Sequence, residues 1–186
     1  MSRKYTQLTF TDSVKQAQEH YGSRQTAAKV EAWDVDDEHL SAEERGFIAE
    51  RDGFYMATVG EGGWPYVQFR GGPKGFLKVL DDTTLAFADF RGNRQYISTG
   101  NLRHDDRVAL FLMDYPNRRR LKLLAHTEIV DAEDRPDLLQ RLEDPDYRAR
   151  IERLVLFRVV AFDWNCPQHI TPRFTEAELA ASKGTH

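Results

Sequence analysis

From Asp52 onward the hydrophobic period of this chain changes from helical to alternating, and it stays alternating for most of the remaining length. Phe54–Val59 reads as a strand, Glu61-Gly-Gly63 as a tight turn, and Pro65–Arg70 as the hairpin partner. Gly71-Gly72-Pro73 breaks that strand and Phe76–Leu80 resumes it. Asp81-Asp82 then turns the chain into Thr84–Ala88. Arg107–Met113 and Leu121–Val130 form a further pair around Asp114-Tyr-Pro-Asn117, and Leu154–Trp164 is a long apolar strand. Strands that follow one another through short turns pair antiparallel. The absence of a strand–helix–strand rhythm excludes a doubly wound sheet. The expected fold is therefore mainly β, a six-stranded antiparallel barrel with flanking helices.

Helices are expected around that barrel. Val14, Ala17, Gln18 and Tyr21 fall at helical spacing within residues 11–32, with Thr11 or Asp12 as N-cap. Ser41-Ala-Glu-Glu44 has the form of a capping box for a helix reaching about Arg51. Gly92–Leu102 reads as a short helix between strands, 134–153 as a charged helix, and Thr175–Ser182 as a closing one. The expected organisation is one domain: a helical extension over 1–40, the barrel over 41–174, and a terminal helix and tail over 175–186.

Composition removes several classes of function. Twenty-six Lys and Arg against thirty Asp and Glu give a net charge of −4, which argues against a nucleic-acid surface. The single cysteine, Cys166, excludes an internal disulfide and any multi-cysteine metal site. The apolar runs fall short of the ~20 residues of a membrane span, and the polar start has no signal-peptide core, so a cytoplasmic protein is expected. The acidic stretch Asp34, Asp36, Asp37, Glu38 lacks the ligand alternation and central glycine of a calcium loop and reads as a solvated turn. The six histidines form neither an H-x-x-x-H nor an H-E-x-x-H pattern. Cys166 near His169 is an incidental pairing, not a nucleophile with its base.

Cations and flexible backbone are distributed more tellingly. Arg70-Gly-Gly-Pro-Lys74 ends a strand in a basic, glycine-rich corner, and Arg91-Gly-Asn-Arg94 opens the expected helix. In that helix Arg94, Ser98 and Asn101 would share a face. Arg118-Arg119-Arg120 leads into a strand on which Lys122 shares a face with Arg120. Guanidinium forks, a hydroxyl, an amide and the free N–H groups of a helix start suit a phosphate. Phe69 and Phe90, beside these corners, suit the face of a flat heterocycle.

These segments together resemble the pyridoxamine 5'-phosphate oxidase-like family of FMN-binding split barrels. The resemblance runs through Pro65-Tyr-Val-Gln-Phe-Arg-Gly-Gly-Pro-Lys-Gly-Phe76, Phe87-Ala-Asp-Phe-Arg-Gly-Asn-Arg94, Asn101-Leu, Asp106-Arg-Val-Ala-Leu110 and Arg120-Leu-Lys-Leu123 to Trp164–Arg173. It covers about residues 41–174. What it implies is a homodimer with two FMN sites at its interface and a small-molecule substrate. The family's R-x-V-L-L-K strand falls on Gln68-Phe69-Arg70-Gly71-Gly72, so its first arginine is Gln68, its lysine lies near Gly72, and Arg70 inherits the phosphate. The S-R-K segment falls on Gly92-Asn93-Arg94 when read from Phe90. Read back from Asn101-Leu102, its lysine falls on Ser98. R-Q-V-R is similar to Arg119-Arg120-Leu121-Lys122, where Arg120 brings a cation to the flavin ring. The terminal W…R pair falls on Trp164 and Arg173, with Gln168 between them. Arg173 is followed by Phe174-Thr175, unlike the R-L-x-P ending of the vitamin B6 oxidases, so the resemblance implies a relative sharing cofactor and fold. The expected function is flavin-dependent redox chemistry on a small molecule. The competing readings are a flavin-storing module without turnover and a haem-handling barrel with His104, His126 or His169 as axial ligand.

Overall fold

The computed structural model describes residues 3–33, 35–164 and 166–183. Asp34 of the acidic stretch and Asn165 of the terminal motif lie outside the described residues. So do Met1, Ser2 and 184–186.

Seven strands form one sheet among the described residues: β1 (Gly53–Val59), β2 (Pro65–Gly71), β3 (Lys78–Val79), β4 (Thr84–Phe90), β5 (Arg107–Asp114), β6 (Arg119–Asp131) and β7 (Ile151–Trp164). Their order is β2-β1-β5-β6-β7-β4-β3, and every neighbouring pair is antiparallel. The β1–β2 hairpin closes at Val59↔Pro65 and the β5–β6 hairpin at Asp114↔Arg119, both where the turn residues put them. The segment expected over Phe76–Leu80 as a resumption of β2 is instead a separate two-residue strand at the opposite edge of the sheet, which makes the count seven and not six.

Alternation decides what the sheet buries. Phe54 and Met56 on β1, Leu110 and Leu112 on β5, Leu121 and Leu123 on β6, and Phe157 on β7 all turn inward to one core. At its centre Phe54 stacks on Phe76 at 5.7 Å, and Phe87 stacks on Phe157 at 5.7 Å. Such offset pairs add to what area burial alone supplies. Strand β4 is buried on both faces, because helix α6 (Pro136–Leu142) lays Leu138 and Leu142 over Ala86, Ala88 and Leu154.

The helices are α1 (Arg3–Thr9), α2 (Asp12–His20), α3 (Arg24–Glu31), α4 (Ala42–Ala49), α5 (Ile97–His104), α6 and α7 (Glu176–Lys183). Helix α4 begins with the expected capping box, Ser41 and Glu44 each satisfying the other's backbone. Three expectations require correction. The helix expected over 11–32 is two helices, because Gly22 at φ +76° ends α2. Ser23 N then bonds Gln18 O and Gly22 N bonds Glu19 O, the double closure that a left-handed glycine permits. Thr11 is the N-cap of α2, without a side-chain bond. The helix expected from Gly92 starts only at Ile97, since Arg94 (φ 60°) and Tyr96 (φ 54°) are left-handed and cannot continue a helix. The helix expected over 134–153 ends at Leu142. Pro145 disfavours helix in the residue before it, and β7 has begun by Ile151.

No described helix is long and apolar enough to cross a membrane.

Candidate functional site

Strand alternation puts Tyr66, Gln68 and Arg70 on one face of β2 and Val67, Phe69 and Gly71 on the other. The first three line a cleft whose remaining wall is the 92–99 segment, Phe90 at the end of β4, and Glu152 and Arg153 on β7. Of the residues singled out in the sequence, Gln68, Arg70, Asn93, Arg94 and Ser98 meet there. Ser98, in the first turn of α5, is 2% exposed and donates from Oγ to Gln68 Oε1 at 3.0 Å. One turn on, Asn101 Nδ2 donates to the buried Thr58 Oγ1 at 3.0 Å, which seats α5 on β1. The N-cap of α5, Tyr96, makes no side-chain bond to the first turn, so the positive end of the helix is not closed from that side. Arg94 lies before the helix, not on it. It reaches the cleft by donating from Nε to Tyr96 Oη at 3.2 Å.

A buried carboxylate organises the cations. Asp89, 3% exposed, accepts from Arg70 Nη1 on Oδ1 at 3.0 Å. Its Oδ2 accepts from Arg153 Nε at 3.1 Å and from Nη2 at 2.7 Å. Burial opposes the charge on Arg153, but the Asp89 bonds outweigh it and hold its pKa above the ordinary value. Glu152 accepts from Tyr96 Oη at 3.3 Å and pairs with Arg91 at 3.6 Å. The Nε of Arg70 is buried without a partner. Arg70, Arg91, Arg94 and Arg153 thus face Asp89 and Glu152, which leaves two positive charges unmatched around the cleft.

A second group of the singled-out residues gathers on the opposite face of the sheet. Phe69 lies over Gly53 and Gly71, where any Cβ would fall 2.3 Å and 2.9 Å from its ring. Its ring stands 5.4 Å from Tyr55. Tyr55 bonds Tyr115, which raises the Tyr115 phenol above its ordinary pKa, and Arg173 stacks on Tyr115 at 5.0 Å. Arg120 approaches the ring of Phe111, the cross-strand neighbour of Tyr55, at 5.9 Å, with its Nε buried and unpartnered.

Lys122 shares this face with Arg120 and stands opposite Phe111, whereas Trp164, Gln168 and the histidines sit elsewhere. Lys122 pairs with the buried Asp163 at 2.7 Å and lies 4.7 Å from the ring of Tyr5 on α1. Trp164 donates from Nε1 to Glu44 Oε1 at 2.7 Å and packs edge-on against Phe47. Gln168 is exposed in the turn after β7. His104, His126 and His169 are exposed and far apart in the chain; His126 bonds Asp106 at 2.9 Å. Among the described residues no group of three or more His, Cys, Asp or Glu is placed to hold a metal.

Sequence reasoning missed Asp89, Tyr96, Glu152 and Arg153 as parts of the cleft. The last two fall in the segment expected as a helix, whereas Ile151–Trp164 is a strand.

Comparison with known proteins fits this arrangement. Residues 40–163 match the model of the pyridoxamine 5'-phosphate oxidase family. The chain belongs to that family. Among solved structures, it is similar to a candidate pyridoxamine 5'-phosphate oxidase from Lactobacillus delbrueckii (TM-score 0.52, 21% identity, covering 69% of this chain and 97% of that one). It is also similar to HupZ from group A Streptococcus (TM-score 0.51, 14% identity, covering 73% and 100%). No curated protein sequence matches significantly. At these identities the neighbours establish the pyridoxamine 5'-phosphate oxidase-type split barrel, and the chemistry is argued from the cleft. The family match begins at residue 40, so α1–α3 precede the part of the chain that the family describes.

Proposed function

We propose that the protein binds FMN and is an oxidoreductase acting on a small molecule, working as a homodimer. The observation that carries this reading is the cleft under β2. There the buried Arg70 Nε has no partner and two positive charges are unmatched, which suits the dianion of a phosphate monoester. Arg70, Arg94 and Ser98 would hold the phosphate, with the first-turn N–H groups of α5 behind them. Gln68 and Asn93 border the same cleft. When bound, FMN supplies the electron-transfer chemistry, and the chain's part is to bind, orient and shield it.

The homodimer rests on the outer face of the sheet. Val59, Val67 and Phe69 are exposed there beside Tyr55, with Trp64 at the hairpin tip 82% exposed. A contiguous apolar face of that kind is what a two-fold partner covers. The same face carries Arg120 and Arg173, so a partner seated on it would bring these cations toward a shared flavin. The cytoplasm is the compartment that goes with this reading, where the exposed Cys166 stays reduced.

The test is the absorbance spectrum of freshly purified protein, identification of what it releases on denaturation, and titration with FMN and riboflavin. A two-band flavin spectrum, release of FMN and a clear preference for FMN over riboflavin are expected. A single Soret band, release of FAD, or no binding of FMN at micromolar concentration refutes the reading. Steady-state oxidation of NADH or NADPH by the holoprotein separates an oxidoreductase from a flavin store.

A further inference from the structure

We propose that Arg153, on β7, is a third guanidinium that binds the phosphate beside Arg70 and Arg94, and that Asp89 is the positioning residue that aims Arg153 and Arg70 at the same point. The proposal rests on the FMN reading above and adds a residue to it. Asp89 and Arg153 are directly opposed across β4 and β7. The register shifts between Asp89 and Phe90, and a bulge of that kind re-aims the side chains beside it.

The bonding of Arg153 holds it in place and leaves it a donor to spare. Its Nε and Nη2 are tied to Asp89 Oδ2, its Nη1 donates to Glu152 Oε2 at 3.2 Å, and the ring of Tyr96 lies 4.9 Å from its guanidinium carbon. A guanidinium carries five N–H donors; Asp89 and Glu152 take three and the Tyr96 hydroxyl is bonded as well, so at least one remains. The side chain retains 14% exposure, and Arg153 lines the cleft together with Ser98 and Arg70. Arg70 is held from the other oxygen of the same carboxylate, so both guanidiniums converge on Asp89 with N–H groups to spare. Asp89 therefore fixes two donors at once before any ligand arrives, which lowers the ordering cost of binding. Arg94 is exposed and must be immobilised when it binds.

The alternative is that Arg153 is a structural ion-pair partner of Asp89 and nothing more. The two differ in phosphate dependence, because riboflavin is FMN without its phosphate. Arg153→Met is expected to weaken FMN binding about thirtyfold, the scale of hydrogen bonds to a charged group, and riboflavin binding less than about threefold. Arg153→Lys keeps the charge but not the fork, and an intermediate loss confined to FMN is expected. Because Arg153→Met strands a buried carboxylate, the double variant Asp89→Asn/Arg153→Met is measured beside it, with thermal melts of the flavin-free proteins as the folding control. The double variant is expected to lose the FMN preference as fully as Arg153→Met does. If wild type prefers FMN but all three variants keep that preference, or lose both ligands equally, the assignment of Arg153 is overturned while the FMN reading stands. If wild type binds FMN no better than riboflavin, both fall.

Discussion

Replacing Trp164 by Phe removes the hydrogen-bond donor to Glu44 and leaves an aromatic ring between Phe47 and the Arg119 guanidinium. The carboxylate it bonds is 4% exposed. Its Oε1 accepts from the indole at 2.7 Å, and its Oε2 accepts from Ser41 N at 3.0 Å as half of the capping box. Burial alone would raise the Glu44 pKa, but the bonds from Ser41 and Trp164 outweigh it and hold the group below the ordinary value of 4.5. A hydrogen bond to a charged group contributes about 2 kcal/mol. In a chain of this length that corresponds to a loss of roughly 4–8 °C in Tm at pH 7. The bond exists to an ionised carboxylate, so its contribution is complete above the unfolded-state pKa and drains away as pH falls through the lower folded-state value. The gap between wild type and Trp164→Phe should therefore narrow as the pH is taken below about 4. Thermal melts of wild type, Trp164→Phe, Glu44→Gln and the double variant form the cycle that isolates the pair. The reasoning fails if Trp164→Phe costs as much in the Glu44→Gln background as in wild type, or if its penalty is the same at acid pH as at neutral.

Arg94→Ala should weaken FMN binding about tenfold or more and riboflavin far less, since the lost contact is to the phosphate; equal losses in parallel titrations would remove Arg94 from that role. Phe157→Ala deletes a fully buried ring stacked on Phe87 and should cost about 3–5 kcal/mol, read from the urea midpoint at unchanged slope. Val67→Glu puts a charge into the exposed apolar face of β2 and should halve the mass seen by light scattering without lowering Tm; an unchanged dimer would place the two-fold interface elsewhere.

How much of this was legible depended on how local its cause was. The β1–β2 and β5–β6 hairpins are written in Glu61-Gly-Gly63 and Asp114-Tyr-Pro-Asn117, and the start of α4 in Ser41 and Glu44, because each is decided within a few residues. The pairing of β4 with β7 joins Thr84 to Arg158, and nothing near either residue announces the other. The cleft was half legible for the same reason. Gln68 and Arg70 share a face by alternation alone, whereas Arg153 enters through that distant pairing. The face expected for Arg94, Ser98 and Asn101 fails at Arg94, because the left-handed backbone at Arg94 and Tyr96 delays the helix to Ile97, and spacing alone does not announce that. Phe69 and Phe90, both expected to cover a flat heterocycle, lie on different sides of the sheet.

The position of β7 in the sheet has a consequence for synthesis. It joins β4 and β3 to the rest of the sheet, yet it is the last of the described strands to be made. Thr84 waits for Arg158 and Phe90 for Ile151, a delay of some 60 to 75 residues, which at ribosomal rates of roughly 5–20 residues per second lasts about 3–15 s. Throughout that interval β4, apolar on both faces, has only the two-residue β3 beside it in the sheet, and until Leu142 is made it has no α6 above it. A nascent chain arrested near residue 130 should therefore recruit holdase chaperones, and one extended beyond Trp164 should release them.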